Sequence, residues 1–216
     1  MAGKPKTEFA LNQKIVYPSQ GVGKITEIFK RDFQGQQVYY YKIYVEVSDM
    51  TVMVPVTKAT ELGIRSIVSA SQAQKALNMI GEEFEPPTSD WKLRYQMNLD
   101  LLKKGTIQDI ASIVRCLYHR SKVKELPILE RKLYDSAKKL LEDEIAEAMG
   151  KPVKEVEALL HAKLEPLGAR AEKKNLLVDD DDDEDDEFGD LDEDKNSRGR
   201  DDDDDDDGDL DDEDDE

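Results

Sequence analysis

KIVYPSQGVGKITEIFKRDFQGQQVYYYKIYVEVSDMTVMVPV, residues 14–56, decides the fold of the N-terminal part. Its β-branched and aromatic residues come in short runs separated by turn signals. Lys14 to Tyr17 reads as a strand, ended by the turn Pro18-Ser19-Gln20-Gly21. Gly23 to Phe33 reads as a second strand, and Gln34-Gly35-Gln36 as a tight hairpin connection. The strongest run is Val38 to Val47, which contains Tyr39, Tyr40, Tyr41 and Tyr44. Ser48-Asp49 turns the chain and Thr51 to Val56 returns it, with Pro55 placing this strand at an edge or a bulge. Short strands joined by tight turns predict a small, strongly bent sheet or an SH3-like barrel. Adjacent strand residues point to opposite faces, so at least half of these tyrosines belong to packing rather than to a binding stripe. Met50 and Met53 fit either barrel filling or an outer contact.

Downstream the period becomes helical. Leu62 to Arg65 reads as a connector and Ser71 to Ile80 as a short helix. Gly81 to Ser89 (GEEFEPPTS) is acidic and holds Pro86-Pro87, which cannot continue a helix, so it reads as a boundary. Trp91 to Lys104 (WKLRYQMNLDLLKK) predicts a helix stopped by Gly105. Thr106 with Asp109 has the pattern of a capping box, and the helix it opens carries Ile107, Ile110, Ala111, Val114 and Leu117 at helical spacing. Pro127 suits the first turn of a third helix ending at Gly150, with the stripe Leu129, Leu133, Ala137, Leu140, Leu141 and Ile145. Pro152 opens a fourth through Leu164. Each helix is amphipathic, so they must bury their stripes against one another. The expected class is α+β. It divides into a flexible N-terminus (1–8), a β-barrel domain (9–66), a short helix and linker (67–87), an all-α helical domain (88–175) and a disordered acidic tail (176–216).

The formal charge of −19 conceals a split chain. Residues 179–216 hold 27 acidic and 3 basic side chains, whereas residues 1–178 hold 28 basic and 23 acidic ones. The basic body is a candidate binder of a polyanion, and the tail a candidate competitor for the same surface. Phe188, Leu191 and Leu210 stand isolated among carboxylates, so the tail cannot build a core. Between Lys92 and Lys139 there are 12 basic and 5 acidic residues, and the single tryptophan, Trp91, stands at their edge. Basic side chains beside an aromatic at a helix start can hold phosphates while the ring stacks on or wedges between bases. The competing reading is a solvated charged face and a tryptophan packed at a boundary. The DNA-facing candidates are Trp91, Lys92, Arg94, Arg115, Arg120, Lys122 and Lys124.

One cysteine, Cys116, allows no internal disulfide, and its apolar surroundings mark it as core. His119 and His161 are far apart, and no metal-ligand spacing, phosphate loop, nucleophile elbow or HExxH pattern occurs. The expectation is a non-enzymatic protein with no metal, cofactor or small-molecule substrate. No apolar run approaches the roughly 20 residues that span a bilayer, and no secretory signal opens the chain. A cytoplasmic protein without membrane association is expected, and a monomer, since sustained heptads are absent.

FALNQKIVYPSQGVGKITEI (9–28), TVMVPVTKATELGIRSI (51–67) and TSDWKLRYQMNLDLLKKG (88–105) resemble the CarD/CdnL family of bacterial transcription regulators. The resemblance runs over about residues 9–165, and VYPSQGVG, MVPV and DWKLRY are its most specific elements. It implies a Tudor- or SH3-like domain that binds the RNA polymerase β subunit, similar to a module of transcription-repair coupling factors. It also implies a helical domain that contacts promoter DNA at the upstream edge of the melted −10 region. Trp91 would be the minor-groove wedge, Arg94 a basic residue one turn along, and Arg31 a polymerase contact. Met53 and Gln96 stand where the family has basic residues, Met53 at a second polymerase-contact position. The tail lies outside the family's shared core and either competes with DNA for the basic face or only solubilises. An alternative of another class is a protein–protein scaffold or an acidic nucleic-acid mimic in which the tail is the active element.

Overall fold

The structure, a computed structural model, describes residues 7–33 and 35–175. The acidic tail, for which disorder is expected, and residues 1–6 lie outside the described residues. Strands β1 (Lys14–Tyr17), β2 (Gly21–Phe33), β3 (Gln36–Val45), β4 (Met50–Pro55) and β5 (Arg65–Ser66) form one antiparallel sheet in the order β4-β3-β2-β1-β5. Pro55 therefore does lie on an edge strand, where its missing N–H costs no ladder bond. β2 pairs with β1 through its first residues and with β3 through most of its length. A register shift between Ile25 and Glu27 bends it. The concave side buries Phe9, Ile15, Ile25, Tyr41, Ile43, Val45, Val54, Ala59 and Ile64. Of the tyrosines, Tyr41 is core, and its hydroxyl accepts the Phe9 N–H at 3.1 Å. Tyr39, Tyr40 and Tyr44 are half-buried.

Helices α1 (Ala70–Ile80), α2 (Trp91–Lys104), α3 (Ile107–Ser121), α4 (Ile128–Met149) and α5 (Val153–Asn175) enclose a second core. α1 is the short helix expected at Ser71–Ile80, one residue longer at its start. Ser69 and Gln72 cap it with a capping box, and Ala73, Ala76, Leu77 and Ile80 are buried in the same cluster as α3, α4 and α5. The helical domain thus begins near Ser69, and Gly81 to Asp90 is a non-helical strap within it. Pro86-Pro87 bars a helix there without separating domains. α5 runs past Leu164 to Asn175, with Pro166 inside it. Pro127 caps α4 from outside its first turn. Gly105 (φ 67) and Gly150 (φ 62) end α2 and α4 in the left-handed region that lacks a Cβ penalty only for glycine. In α4, Leu133, Ala137, Leu141 and Ile145 face the core, while Leu129 and Leu140 are half-buried. Leu140 Cδ2 reaches the β sheet, 3.0 Å from where a Cβ on Gly21 would lie.

Candidate polymerase and nucleic-acid interfaces

The pairing register sets the outer face of the β sheet. Met53 lies opposite Lys42, Lys42 opposite Glu27, Tyr40 opposite Phe29, and Val38 opposite Arg31. Opposed residues share a face, and the face alternates along a strand. Arg31 and Met53 therefore share the face away from Tyr41 and Val54, and both are exposed, Met53 at 53%. Met53 does not fill the barrel. Between them Phe29 and Tyr40 stack with centroids 5.9 Å apart, and Lys42 Nζ lies 3.8 Å from Glu27 Oε2. This aromatic pair and Lys42 were not singled out from sequence. Their signal is the register across the hairpin, which a bulge at Ile25/Glu27 hides from simple alternation.

The second surface is the end of the helical domain where α2 begins. Asp90 caps α2 by accepting the Lys92 and Leu93 N–H groups at 2.9 and 3.2 Å, which makes Trp91 the first helical residue. Trp91 is half-buried, and Lys92 Nζ lies 6.0 Å from its ring centroid. α2 and α3 are antiparallel across Gly105-Thr106, and the Asn98 amide reaches Cys116 Sγ at 3.8 Å. That register brings the end of α3, with Arg120, Lys122 and Lys124, beside the start of α2. Lys92 and Lys124 are exposed, while Arg120 and Lys122 are half-buried. Lys122 Nζ stands 5.5 Å from the Tyr118 ring centroid. Cations here also complement the C-terminal dipole of α3.

Arg94 leaves the DNA-facing set. It is 2% exposed, and Nε and Nη2 donate to the two carboxylate oxygens of Glu130 at 2.8 and 2.7 Å. Glu130, in the first turn of α4, is 0% exposed. Arg94 Nη1 donates to the Thr88 and Ser89 carbonyls at 2.5 and 3.1 Å. A guanidinium so enclosed cannot reach a phosphate, and it instead fixes the strap against α2 and α4. Arg115 turns inward likewise. Its Nη1 donates to the Met79 carbonyl at 2.9 Å, and its guanidinium carbon lies 4.4 Å from the Phe84 ring centroid. Burial lowers its pKa, with Glu82 opposing. Phe84 meets His119 edge-on, centroids 5.4 Å apart. Arg115 thus holds the start of the strap and Arg94 its end. Glu130 carried no mark in the sequence that set it apart from other helix-surface acids.

Cys116 is half-buried, and burial raises its thiol pKa, partly offset by the Asn98 contact. Among the described residues no cluster of three or more His, Cys, Asp or Glu is placed to hold a metal ion. None of the described helices is long and apolar enough to cross a membrane.

Residues 9–68 match the CarD-like/TRCF RID domain, and residues 75–161 match the C-terminal domain of CarD. A β module of that interacting type ahead of a helical domain defines a transcription factor that engages RNA polymerase. The chain belongs to the CarD family. Its second match starts inside α1, in keeping with the place of α1 in the helical core. The chain is 34% identical over 154 residues to YdeB of Bacillus subtilis (strain 168), a candidate transcription factor by its name. That alignment covers 69% of this chain and 98% of YdeB. It is also similar to the solution structure of the 72-residue N-terminal domain of Myxococcus xanthus CarD. The identity is 30% and the TM-score 0.25, over 30% of this chain and 85% of that domain.

Proposed function

We propose that this protein is a polymerase-tethered promoter clamp. The outer face of β2, β3 and β4, with Arg31 and Met53, docks on the β subunit of RNA polymerase. The helical domain then meets promoter DNA near the −10 element as an intramolecular event, so weak DNA affinity suffices. Trp91 enters the minor groove at the upstream edge of the bubble, and Lys92, Arg120, Lys122 and Lys124 hold the backbone. Opening a base step costs on the order of a few kcal/mol. A wedge that fits only melted DNA shifts the population toward the open state, and about 1.4 kcal/mol of differential binding is tenfold in its lifetime. No bond is made or broken. The observation that carries this reading is a half-exposed tryptophan at a capped helix start, three residues before the buried Arg94 of an ion pair and beside Lys92.

The test is the lifetime of open promoter complexes on cognate holoenzyme at one fixed salt. Full-length protein should lengthen it, and Trp91→Ala should remove most of the gain while polymerase binding persists. A Trp91→Ala protein as effective as wild type overturns the wedge. The acidic tail, net −24 from its 27 acids and 3 bases, competes with DNA for the lysine surface by mimicking phosphate charge. Such competition requires contact, because the Debye length is about 8 Å at physiological salt. A chain cut after Val178 should bind DNA more tightly, most visibly at low salt. Equal affinity at every salt concentration would leave the tail a solubiliser.

A further inference from the structure

Arg65, on the last strand of the β sheet, reaches into the helical domain. Its Nε and Nη2 donate to the Gly105 carbonyl at 3.0 and 2.8 Å. Nη1 and Nη2 donate to the two carboxylate oxygens of Glu144 on α4 at 2.5 and 2.8 Å. Nη1 also donates to the Ser66 carbonyl at 3.3 Å. All of the guanidinium's donor directions are therefore committed, four of its five bonds by paired donors that only a planar fork can offer at once. Glu144 is 3% exposed and also accepts the Val68 N–H, at 3.4 Å. The two acceptors have a shared meaning. Gly105 is the left-handed cap of α2, and α2 carries Trp91 at its other end. One arginine of the polymerase-docking module thus grips both the end of the wedge helix and the long helix behind it.

We infer that Arg65 and Glu144 are positioning residues that convert the two modules into one rigid body, so that docking on polymerase sets where Trp91 lies. The inference rests on the clamp reading above. Thirteen rises of 1.5 Å place Trp91 about 20 Å from the Gly105 end, so a rocking of 10° about that end displaces the ring by about 3.5 Å. That is the spacing of stacked bases, so a loosened α2 would present the ring to the wrong step. The rest of the junction is a poor substitute. Lys14 and Glu147 form an exposed ion pair, Leu140 touches Gly21, Pro18 packs beside Gly105, and the Asp143 carboxyl faces Glu46 with Lys139 nearby. Exposed pairs contribute little, and polar junctions of this kind let domains move.

The experiment compares full-length wild type, Arg65→Gln and Glu144→Gln by backbone 15N relaxation, polymerase affinity and open-complex lifetime. Wild type should tumble with one correlation time for β sheet and helices, and each variant with two. Polymerase affinity should stay within twofold, and the gain in lifetime should fall at least fivefold. A fourth protein, Arg65→Gln with Lys14→Cys, Glu147→Cys and Cys116→Ala, is bridged by a short bis-maleimide. Bridging should restore one correlation time and most of the lifetime without restoring the Arg65 chemistry. A single correlation time in both unbridged variants overturns the inference. So does an unbridged variant that tumbles as two bodies yet keeps the full lifetime. If wild type itself leaves the lifetime unchanged, the clamp reading fails, and the relaxation comparison still decides whether Arg65 and Glu144 couple the modules.

Discussion

Replacing Arg94 by alanine asks whether Trp91 is held in place by the buried pair or merely stands near it. The substitution strands Glu130, which is 0% exposed, and removes the donor to the Thr88 and Ser89 carbonyls. Breaking a buried ion pair from one side costs about 3–5 kcal/mol, because the remaining charge stays desolvated. For a body of this size each kcal/mol moves the melting temperature by about 2–4 °C, so Arg94→Ala should melt about 6–20 °C lower. Stability alone would not establish positioning. Arg94→Met combined with Glu130→Leu removes both charges at similar volume, and such replacements are often neutral or stabilising. The double variant should therefore melt close to wild type, yet nothing in it donates to the strap carbonyls before Asp90, the cap of α2. Its open complexes should remain as short-lived as those of Trp91→Ala. Calorimetry and the lifetime assay on the same preparations provide the check. A double variant with wild-type melting and wild-type lifetime would refute the positioning role. A phosphate-contacting Arg94 would behave differently again. The single substitution would leave melting unchanged and reduce the slope of log affinity against log salt by about 0.9.

Three further outcomes follow from the geometry. Arg31→Glu reverses an exposed charge on the outer β face and should abolish polymerase binding at unchanged melting temperature; wild-type binding in a pull-down would reject that face. Tyr41→Phe leaves the buried Phe9 N–H without its acceptor and should cost about 1–3 kcal/mol in urea unfolding, and no loss would mean the hydroxyl is dispensable. Burial raises the Asp143 carboxyl pKa, Lys139 opposes this, and Glu147 and Glu46 add to it. A raised native value means stability present below the unfolded value and lost as pH climbs through the raised one. Asp143→Asn should thus melt higher than wild type at neutral pH, with the gap closing as pH falls below the ordinary carboxylate range. A gap independent of pH would remove the electrostatic cause.

Local signals made most of the fold legible. The β1 strand, the α2 bounds and the glycine stops at Gly105 and Gly150 each depend on a few adjacent residues, and the chain writes them plainly. α1 is legible as a helix at Ser71–Ile80, but its packing into the helical core is not, because Pro86-Pro87 is a strong local boundary signal, whereas the burial of Ala73, Ala76, Leu77 and Ile80 depends on helices that come later. The site divides along the same line. Lys92 and Arg31 are exposed and Trp91 is half-buried at its helix start. Arg94 and Arg115 do not face outward, because their partners Glu130 and Met79 lie 36 residues away in either direction. A formal charge in a basic stretch cannot reveal which carboxylate or carbonyl the fold will bring to it.

That division falls between two residue types as well as two positions. Arg65 holds the Gly105 carbonyl, Arg94 those of Thr88 and Ser89, and Arg115 that of Met79. Arg65 and Arg94 hold segments that enter or leave α2 with a rigid fork that lysine cannot imitate, whereas Arg115 gives one N–H to the last turn of α1 and sets its guanidinium against Phe84 of the strap. The cations left to face outward around Trp91 are mainly lysines, which are point charges on flexible stems. Lysines neutralise phosphate without reading bases, whereas bidentate arginine is the usual reader of guanine. A surface built this way should bind by charge and shape with little sequence preference and with steep salt dependence. On the clamp reading, discrimination would come from the Trp91 ring, and a ring selects only if its distance from the docked module is fixed. On that reading, the inward arginines and the outward lysines would be two halves of one arrangement, the first setting where the ring stands and the second keeping DNA against it.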